Sequence, residues 1–383
     1  MNKRLLLVSS SLDFGGADVQ VCNMALGFSE RGWQVTVASL VEPGVLRTVL
    51  EDAGIRVVSL AMRRGIPDPR GLIKYCRLVS TVRPAVVHSH MVHANILARV
   101  GRRFVPVPVL VSTAHSIDEG GRARELWYAA TDGLADYTSQ VSVAALERYR
   151  EVGAILTCRS GYVPNGIDFG RFCLAEQERD EVRRRLGVAD SFVWLCVARF
   201  EPVKGHPDLL KAFERVAAAT DRTKLWLVGD GPLRGLLEGE VARAGLGEKV
   251  VFWGRRWDVE SLMCGSDGFV MASHLEGLSL ALIEGAAMEL PIVTTAVGGN
   301  AEVVEDGVSG FVVPDGQPDS LAEKMLQIDS MGPETRKRLG VAGRRRAIGR
   351  YSMESVLGTW EGLYEELYRA NCDEREEVLA EGQ

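Results

Sequence analysis

Apolar residues in this chain follow two rhythms. Short uninterrupted runs, such as Leu5-Leu6-Leu7-Val8, alternate with longer stretches in which apolar positions recur every third or fourth residue. The first rhythm predicts strands buried on both faces, and the second predicts helices with one apolar side. In the first half, the runs at 4–9, 33–40, 55–60, 85–89 and 109–113 read as strands. Helices are expected at 19–31 and near 45–53, 70–82, 93–100 and 122–134. The first helix would place Val21, Met24, Ala25 and Phe28 on one side and stop at Gly32. Strand and helix in strict alternation make a parallel sheet covered on both faces, an α/β fold.

The rhythm breaks at Val163-Pro164-Asn165-Gly166-Ile167-Asp168, a cluster of turn residues followed by a charged helical stretch at 176–186. A fresh alternation then begins, with strands expected at 192–198, 224–228, 250–253, 269–272 and 292–295 and helices near 206–218 and 232–244. With 383 residues to bury, one ordinary core is too small. Two Rossmann-like domains are expected, 1–170 and 171–351. A last helix, 352–370, carries Val356, Leu357, Trp360, Leu363, Tyr364 and Leu367 on one face, and the polar tail 374–383 is expected to fray.

Composition narrows the class. The chain is 46% hydrophobic and 25% charged, as in soluble globular proteins, and no apolar run nears the ~18 residues of a membrane span. The basic then apolar opening meets Ser9-Ser10-Ser11 and Asp13 too soon for a secretory leader, so it reads as a strand. Seven dispersed cysteines with no C-x-x-C pair argue for a reducing, cytoplasmic compartment and against a zinc site.

The net charge of −6 is unevenly spread. Residues 1–170 hold 19 basic and 15 acidic side chains (+4), leaving 26 and 36 for the rest (−10). A basic first half suits an anionic surface or acceptor, including the inner face of a membrane. Nucleic acid is not expected: the overall charge is negative, and the pairs Arg63-Arg64 and Arg102-Arg103 lack interleaved aromatics.

The chemistry gathers at strand ends. Gly15 and Gly16 sit between the first strand and its helix, where backbone can approach a phosphate, although the spacing is not G-x-G-x-x-G. His88, His90 and His93 cluster near a strand end without an acidic ligand beside them, so no metal is expected there. His115 follows the next strand and suits hydrogen bonding to a sugar hydroxyl or phosphate. In the second half, Arg199 and Lys204 bracket a loop that opens a helix, and both cations are expected to converge on one anion. Gly229, the Gly254-Arg255-Arg256 turn and Gly298-Gly299 follow at other strand ends. Between them lies Glu276-Gly277-Leu278-Ser279-Leu280, with Glu284 about a turn and a half into the next helix. The amides of Gly277, Leu278, Ser279 and Leu280 are expected to point out of that helix's N-terminus toward an anion.

Taken together, Gly15-Gly16-Ala17, His115, Asn165-Gly166-Ile167-Asp168, Arg199 with Lys204, Gly229-Asp230-Gly231-Pro232, the Glu276/Glu284 pair and Gly298-Gly299 with Glu302 resemble family 4 of the retaining, nucleotide-sugar-dependent glycosyltransferases. The likeness spans nearly the whole chain, and Asp18 departs from the Glu that relatives often carry there. The resemblance implies the GT-B fold: two facing Rossmann-like domains, the first for an acceptor and the second for the donor, with the last helix rejoining the first domain. It implies that Arg199 and Lys204 bind the donor diphosphate and that Glu276 holds the sugar near its anomeric carbon. Glu284 would accept from the ribose hydroxyls, while Gly15, Gly16, Asn165, Gly229 and Arg256 would line the donor.

The expected partners are a UDP-, GDP- or ADP-sugar and a glycan, small-molecule or lipid-linked acceptor, the setting being polysaccharide or glycolipid synthesis. Two cations and a helix N-terminus can take the leaving-group charge, and no D-x-D triplet occurs, so transfer is expected to need no metal or other cofactor. Two other readings remain at this point: a nucleotide-sugar epimerase of the same fold, and a non-catalytic sugar-nucleotide-binding protein.

Overall fold

The computed structural model describes residues 1–63, 68–118, 120–173 and 176–381, the side chains of 176, 177 and 374–381 excepted. It contains two compact units, Met1–Gly166 with Met353–Gln383, and Ile167–Ser352.

In the first unit the chain runs β1 (Arg4–Ser9), α1 (Gly16–Glu30), β2 (Gln34–Ser39), α2 (Leu46–Asp52), β3 (Arg56–Ser59), α3 (Pro69–Val82) and β4 (Val86–His90). It continues through α4 (Val92–Gly101), β5 (Val109–Ala114), α5 (Arg122–Asp132), β6 (Tyr137–Gln140), α6 (Val143–Glu151) and β7 (Ser160–Tyr162). The seven strands are parallel in the order β3-β2-β1-β4-β5-β6-β7. Leu5, Leu7, Val35, Val37 and Val86 face one core, and Leu6, Val8, Ala38 and Val87 face the other. That two-sided burial is why these strands read as unbroken apolar runs.

The second unit holds α7 (Glu176–Arg185), β8 (Phe192–Val197), α8 (His206–Ala219), β9 (Thr223–Val228), α9 (Arg234–Arg243), β10 (Val250–Gly254) and α10 (Val259–Gly265). After these come β11 (Gly268–Met271), α11 (Leu280–Ala287), β12 (Ile292–Thr295), α12 (Asn300–Val303), β13 (Gly310–Val313), α13 (Pro318–Ser330) and α14 (Pro333–Tyr351). Its six strands, also parallel, run β10-β9-β8-β11-β12-β13.

The last helix, α15 (Met353–Glu381), belongs to the first unit. Val356, Leu357, Trp360 and Tyr364 complete the core built on α1 and β1. Glu361 accepts from Trp33 Nε1 at 2.7 Å and from Arg31 at 2.8 Å, and Tyr364 Oη lies 2.6 Å from His88 Nδ1. The helix runs past residue 370, its expected end, to Glu381. From Glu374 to Glu381 the sequence holds mostly good helix formers, and no Gly or Pro occurs between Arg369 and Gly382.

Candidate functional site

Strand order in the second unit reverses between β8 and β11. Loops leaving adjacent strands there diverge, which opens a crevice at their carboxyl ends. The β8 loop passes through Arg199 and a single 3₁₀ turn, Pro202–Lys204, then uses Gly205 at φ +63° to start α8. The β11 loop carries Ser273 through Ser279 into α11. The two loops are joined by backbone: the His274 N–H donates to the Val203 carbonyl at 2.9 Å. A side chain at Gly205 would strike the Ala272 carbonyl.

Lys204 Nζ donates to Glu276 Oε1 at 2.7 Å, and the Ser273 hydroxyl donates to the same oxygen at 2.8 Å. Glu276 is 6% exposed, so its charge is held by a cation and a hydroxyl rather than by water. An ammonium has three N–H donors; one from Lys204 goes to Glu276, and two remain within the capacity of the group for phosphate oxygens. His274 ties the loop down further, with Nδ1 2.6 Å from Asp315 Oδ1 and Nε2 3.9 Å from Asp208 Oδ2.

Gly298 packs directly on the Glu276 backbone. It sits at φ +50°, and a Cβ there would overlap the Glu276 carbonyl. The Gly299 N–H donates to the Gly277 carbonyl at 2.9 Å. The sequence pattern therefore brings Lys204, Glu276, Gly277 and Gly298-Gly299 into one cluster. Gly229 does similar work on the other side of β8, where a side chain would overlap the Ala198 carbonyl.

Three details were not foreseen. The Arg199 side chain is 57% exposed and pairs with Glu201 at 2.7 Å, two residues away. Arg256 is likewise held locally, by both oxygens of Asp258 at 2.8 and 2.5 Å. Helix α11 begins at Leu280, with Ser279 as its cap, and the Ser279 hydroxyl accepts from the Leu282 amide at 3.4 Å. Gly277 and Leu278 thus lie in the turn before the helix, and one donor of the first helical turn is used internally.

Glu284, the fifth residue of α11, is half-buried. Desolvation of its carboxyl is the main influence and pushes its pKa up to about 7; Arg171 pulls it down and Glu260 pushes it up. Arg171 and Glu260 pair with each other at 3.0 Å, and Arg171 also donates to the Trp257 carbonyl at 2.6 Å. These two, with Ser273, His274, Asp208 and Asp315, are the site residues that sequence reasoning left without roles. His274 was visible beside Glu276, but Asp208 and Asp315 carry no motif of their own.

The first unit shows a second polar cluster. His90 Nδ1 lies 3.0 Å from His115 Nε2, and the Asn165 side chain hydrogen-bonds His115. Burial pushes His115 down to about 4 and holds His88 and His90 well below the ordinary range. His115 is therefore a neutral hydrogen-bonding group near pH 7, not a cation. Both His88 nitrogens are engaged, by the hydroxyls of Tyr364 and Thr113 at 2.6 and 2.7 Å. At the start of α1, the Gly15 N–H donates to Asp18 at 3.2 Å, and Asp18 also accepts from Ser11 at 2.9 Å. The Gly15-Gly16 turn thus closes on its own carboxylate. Among the described residues no group of three or more His, Cys, Asp or Glu is arranged to hold a metal ion.

Comparisons with known proteins converge. Residues 14–171 match the family described as Glycosyltransferase Family 4, and residues 178–346 match Glycosyl transferases group 1. A D-inositol 3-phosphate glycosyltransferase of Geodermatophilus obscurus is 30% identical over 97% of this chain and 87% of its own length. The Escherichia coli UDP-Gal:alpha-D-GlcNAc-diphosphoundecaprenol alpha-1,3-galactosyltransferase is 24% identical over 69% of this chain and 71% of its own. Among solved structures, Anabaena Alr3699/HepE in complex with UDP and glucose superposes with a TM-score of 0.84 at 20% identity, covering 95% of this chain and all of that one. WaaG, a glycosyltransferase involved in lipopolysaccharide biosynthesis, superposes with a TM-score of 0.73 at 17% identity, covering 94% of this chain and 99% of that one.

Proposed function

Starting from a chain that belongs to family 4 of the retaining, nucleotide-sugar-dependent glycosyltransferases, which have the GT-B fold, we propose that the crevice of the second unit holds the donor and that transfer needs no metal ion. The observation that carries this reading is the buried Lys204–Glu276–Ser273 cluster at the strand-order reversal, backed by Gly298. A cation fixed by a buried carboxylate needs no reorganisation when charge develops on a leaving diphosphate.

In the proposed step the bond from the anomeric carbon to the diphosphate oxygen breaks, and its electron pair leaves with the phosphate. The acceptor hydroxyl attacks from the same face, and its proton passes to the departing phosphate oxygen. Lys204 meets the phosphate charge from within the crevice. Arg199, exposed and paired with Glu201, swings from that partner to the diphosphate when the donor arrives. Glu276 hydrogen-bonds the sugar, and Glu284 accepts from the ribose hydroxyls.

His115 offers a neutral imidazole to a sugar hydroxyl or phosphate, and Asn165, which hydrogen-bonds it, lines the donor. The acceptor is a hydroxyl of a glycan, a lipid-linked sugar or a small molecule; relatives' names print both alpha-D-GlcNAc-diphosphoundecaprenol and D-inositol 3-phosphate. No helix among the described residues is long and apolar enough to cross a membrane.

Thermal-shift measurements with UDP-, GDP- and ADP-sugars test the donor assignment, because the cognate donor raises the melting temperature by mass action. Transfer to an undecaprenyl-diphosphate-linked sugar is then followed with and without EDTA. Full turnover in EDTA is the expected result; a strict requirement for Mg²⁺ or Mn²⁺ overturns metal independence, and no shift with any nucleotide sugar overturns the donor site.

A further inference from the structure

Between Pro69 and Ile117 the chain contains seven lysines and arginines and no aspartate or glutamate. This run builds α3, α4 and the loop to β5. Together with α5, these helices cover one face of the first sheet, with α4 packed between α3 and α5. Tyr75, Leu78, Ala94 and Ala98 point into the sheet, leaving Arg70, Arg77 and Arg103 exposed on the outer side. The acidic half of the balance is not supplied by these helices.

The outward side of α5 is unusual in the opposite sense. Helical spacing places Tyr128, Thr131 and Asp132 on its buried side. On the far side stand Ala123, Leu126, Trp127 and Ala130, with Leu126 68% and Trp127 60% exposed. The helix turns its bulkiest apolar groups toward solvent, flanked at its start by exposed Arg122 and Arg124. Its acidic Glu125 is turned inward and paired with Arg148 at 2.5 Å. Phe104, 69% exposed beside Arg103, and Ile73, 52% exposed between Arg70 and Arg77, repeat the pattern on the neighbouring elements.

Exposed aromatic and aliphatic side chains among arginines are the composition of a surface that lies in a membrane interface. The rings enter the headgroup boundary while the cations meet anionic lipid. An acidic polypeptide would satisfy the arginines but would leave Trp127 and Leu126 as protrusions with no pocket to enter. We propose that the α3–α4–α5 face of the first unit docks on an anionic lipid bilayer, with Leu126 and Trp127 inserting. This deepens the functional reading by making the acceptor one that is presented at a bilayer. It is read without turnover, so failure of the vesicle measurement and failure of the transfer assay are separable.

The test is co-sedimentation of the full chain with phosphatidylcholine vesicles, alone or containing phosphatidylglycerol, at low and high salt. Binding is expected only with phosphatidylglycerol and should weaken with salt, each arginine at the surface contributing about fivefold. The double variant Leu126→Ser/Trp127→Ser should bind at least tenfold more weakly (order of magnitude) with unchanged circular dichroism and melting, because both side chains are exposed. A second variant, Arg70→Glu/Arg77→Glu, should lose binding through charge alone. Absence of binding to phosphatidylglycerol vesicles overturns the proposal, as does binding untouched by the serine pair. Concentration-dependent dimerisation that the serine pair abolishes, without vesicle binding, also overturns it by assigning the face to a second copy.

Discussion

Glu284 makes the proposed donor site sensitive to pH in a calculable way. Desolvation raises its carboxyl from the usual 4.5 to about 7, equivalent to about 3 kcal/mol favouring the protonated form. The side chain is half-buried, so solvent screening reduces this to about 2 kcal/mol. A carboxylate that accepts from two ribose hydroxyls must be ionised, so nucleotide binding below about pH 7 has to expel this proton. Affinity for the cognate nucleoside diphosphate should therefore rise with pH, by up to about thirtyfold in all, and level off above about pH 7.

Calorimetry near pH 6.5, in two buffers of different ionisation enthalpy, should detect release of part of a proton. The nucleotide's own terminal phosphate titrates near about 6, so Glu284→Gln is the reference that subtracts its share. For the unliganded protein the sign is the reverse. A carboxyl whose folded pKa is raised contributes fully below the unfolded value of about 4.5, and its contribution is lost as pH rises through about 7. Glu284→Gln should match the parent protein in acid and exceed its stability by about 2 kcal/mol above pH 7. Identical proton release in the parent and the Gln variant, with parallel affinity profiles, would refute the reasoning.

Two further outcomes follow from the same crevice. Lys204→Met strands the Glu276 charge with Ser273 alone and should cost about 3 kcal/mol in the urea transition of the second unit, while transfer falls by orders of magnitude; Glu276→Gln added on top should recover part of the stability but none of the activity, and additive losses would show that the two are not coupled. Gly298→Ala meets both a left-handed φ and the Glu276 carbonyl and should destabilise by about 3 kcal/mol, whereas Gly307→Ala, at φ +72° in open space, should cost about 1 kcal/mol; equal costs in thermal melts would remove the clash from the account.

Much of the fold is legible because parallel strands buried on both faces cannot hide: Leu5-Leu6-Leu7-Val8 and Val109-Leu110-Val111 announce themselves as unbroken apolar runs. The strands that escape are those whose side chains pair with polar neighbours. β6, Tyr137-Thr138-Ser139-Gln140, looks like surface, yet Thr138 is buried because Arg99 donates to it at 2.7 Å. Arg99 is itself buried and held by Asp132 at 2.9 Å. No local pattern reveals a network whose members are drawn from α4, α5 and β6.

α14 escapes for a different reason. Its arginines suggest a solvated helix, but Arg344 and Arg346 turn back to carbonyls of other elements. At the site, motif spacing identifies Lys204 and Glu276, which meet across 72 positions. It does not foresee that Arg199 and Arg256 rest on acidic neighbours two residues away, nor that burial holds His115 neutral. Those are properties of the folded surroundings, set by which groups exclude water.

The return of α15 to the first unit has a consequence for how the protein is made. Chain synthesis runs from the N-terminus, and domains usually fold in the order in which they emerge. Here the first sheet leaves the ribosome with part of its core missing. Trp360, Leu357 and Tyr364 arrive only after all of Ile167–Ser352 has been made. The second unit, synthesised later, has its whole sequence available sooner. Until the final helix docks, Phe28, Trp33 and His88 present an open apolar face bearing a buried-type histidine to the cell. The first unit therefore stays open while the whole of Ile167–Ser352 is translated, and the helix that ends its exposure follows that segment.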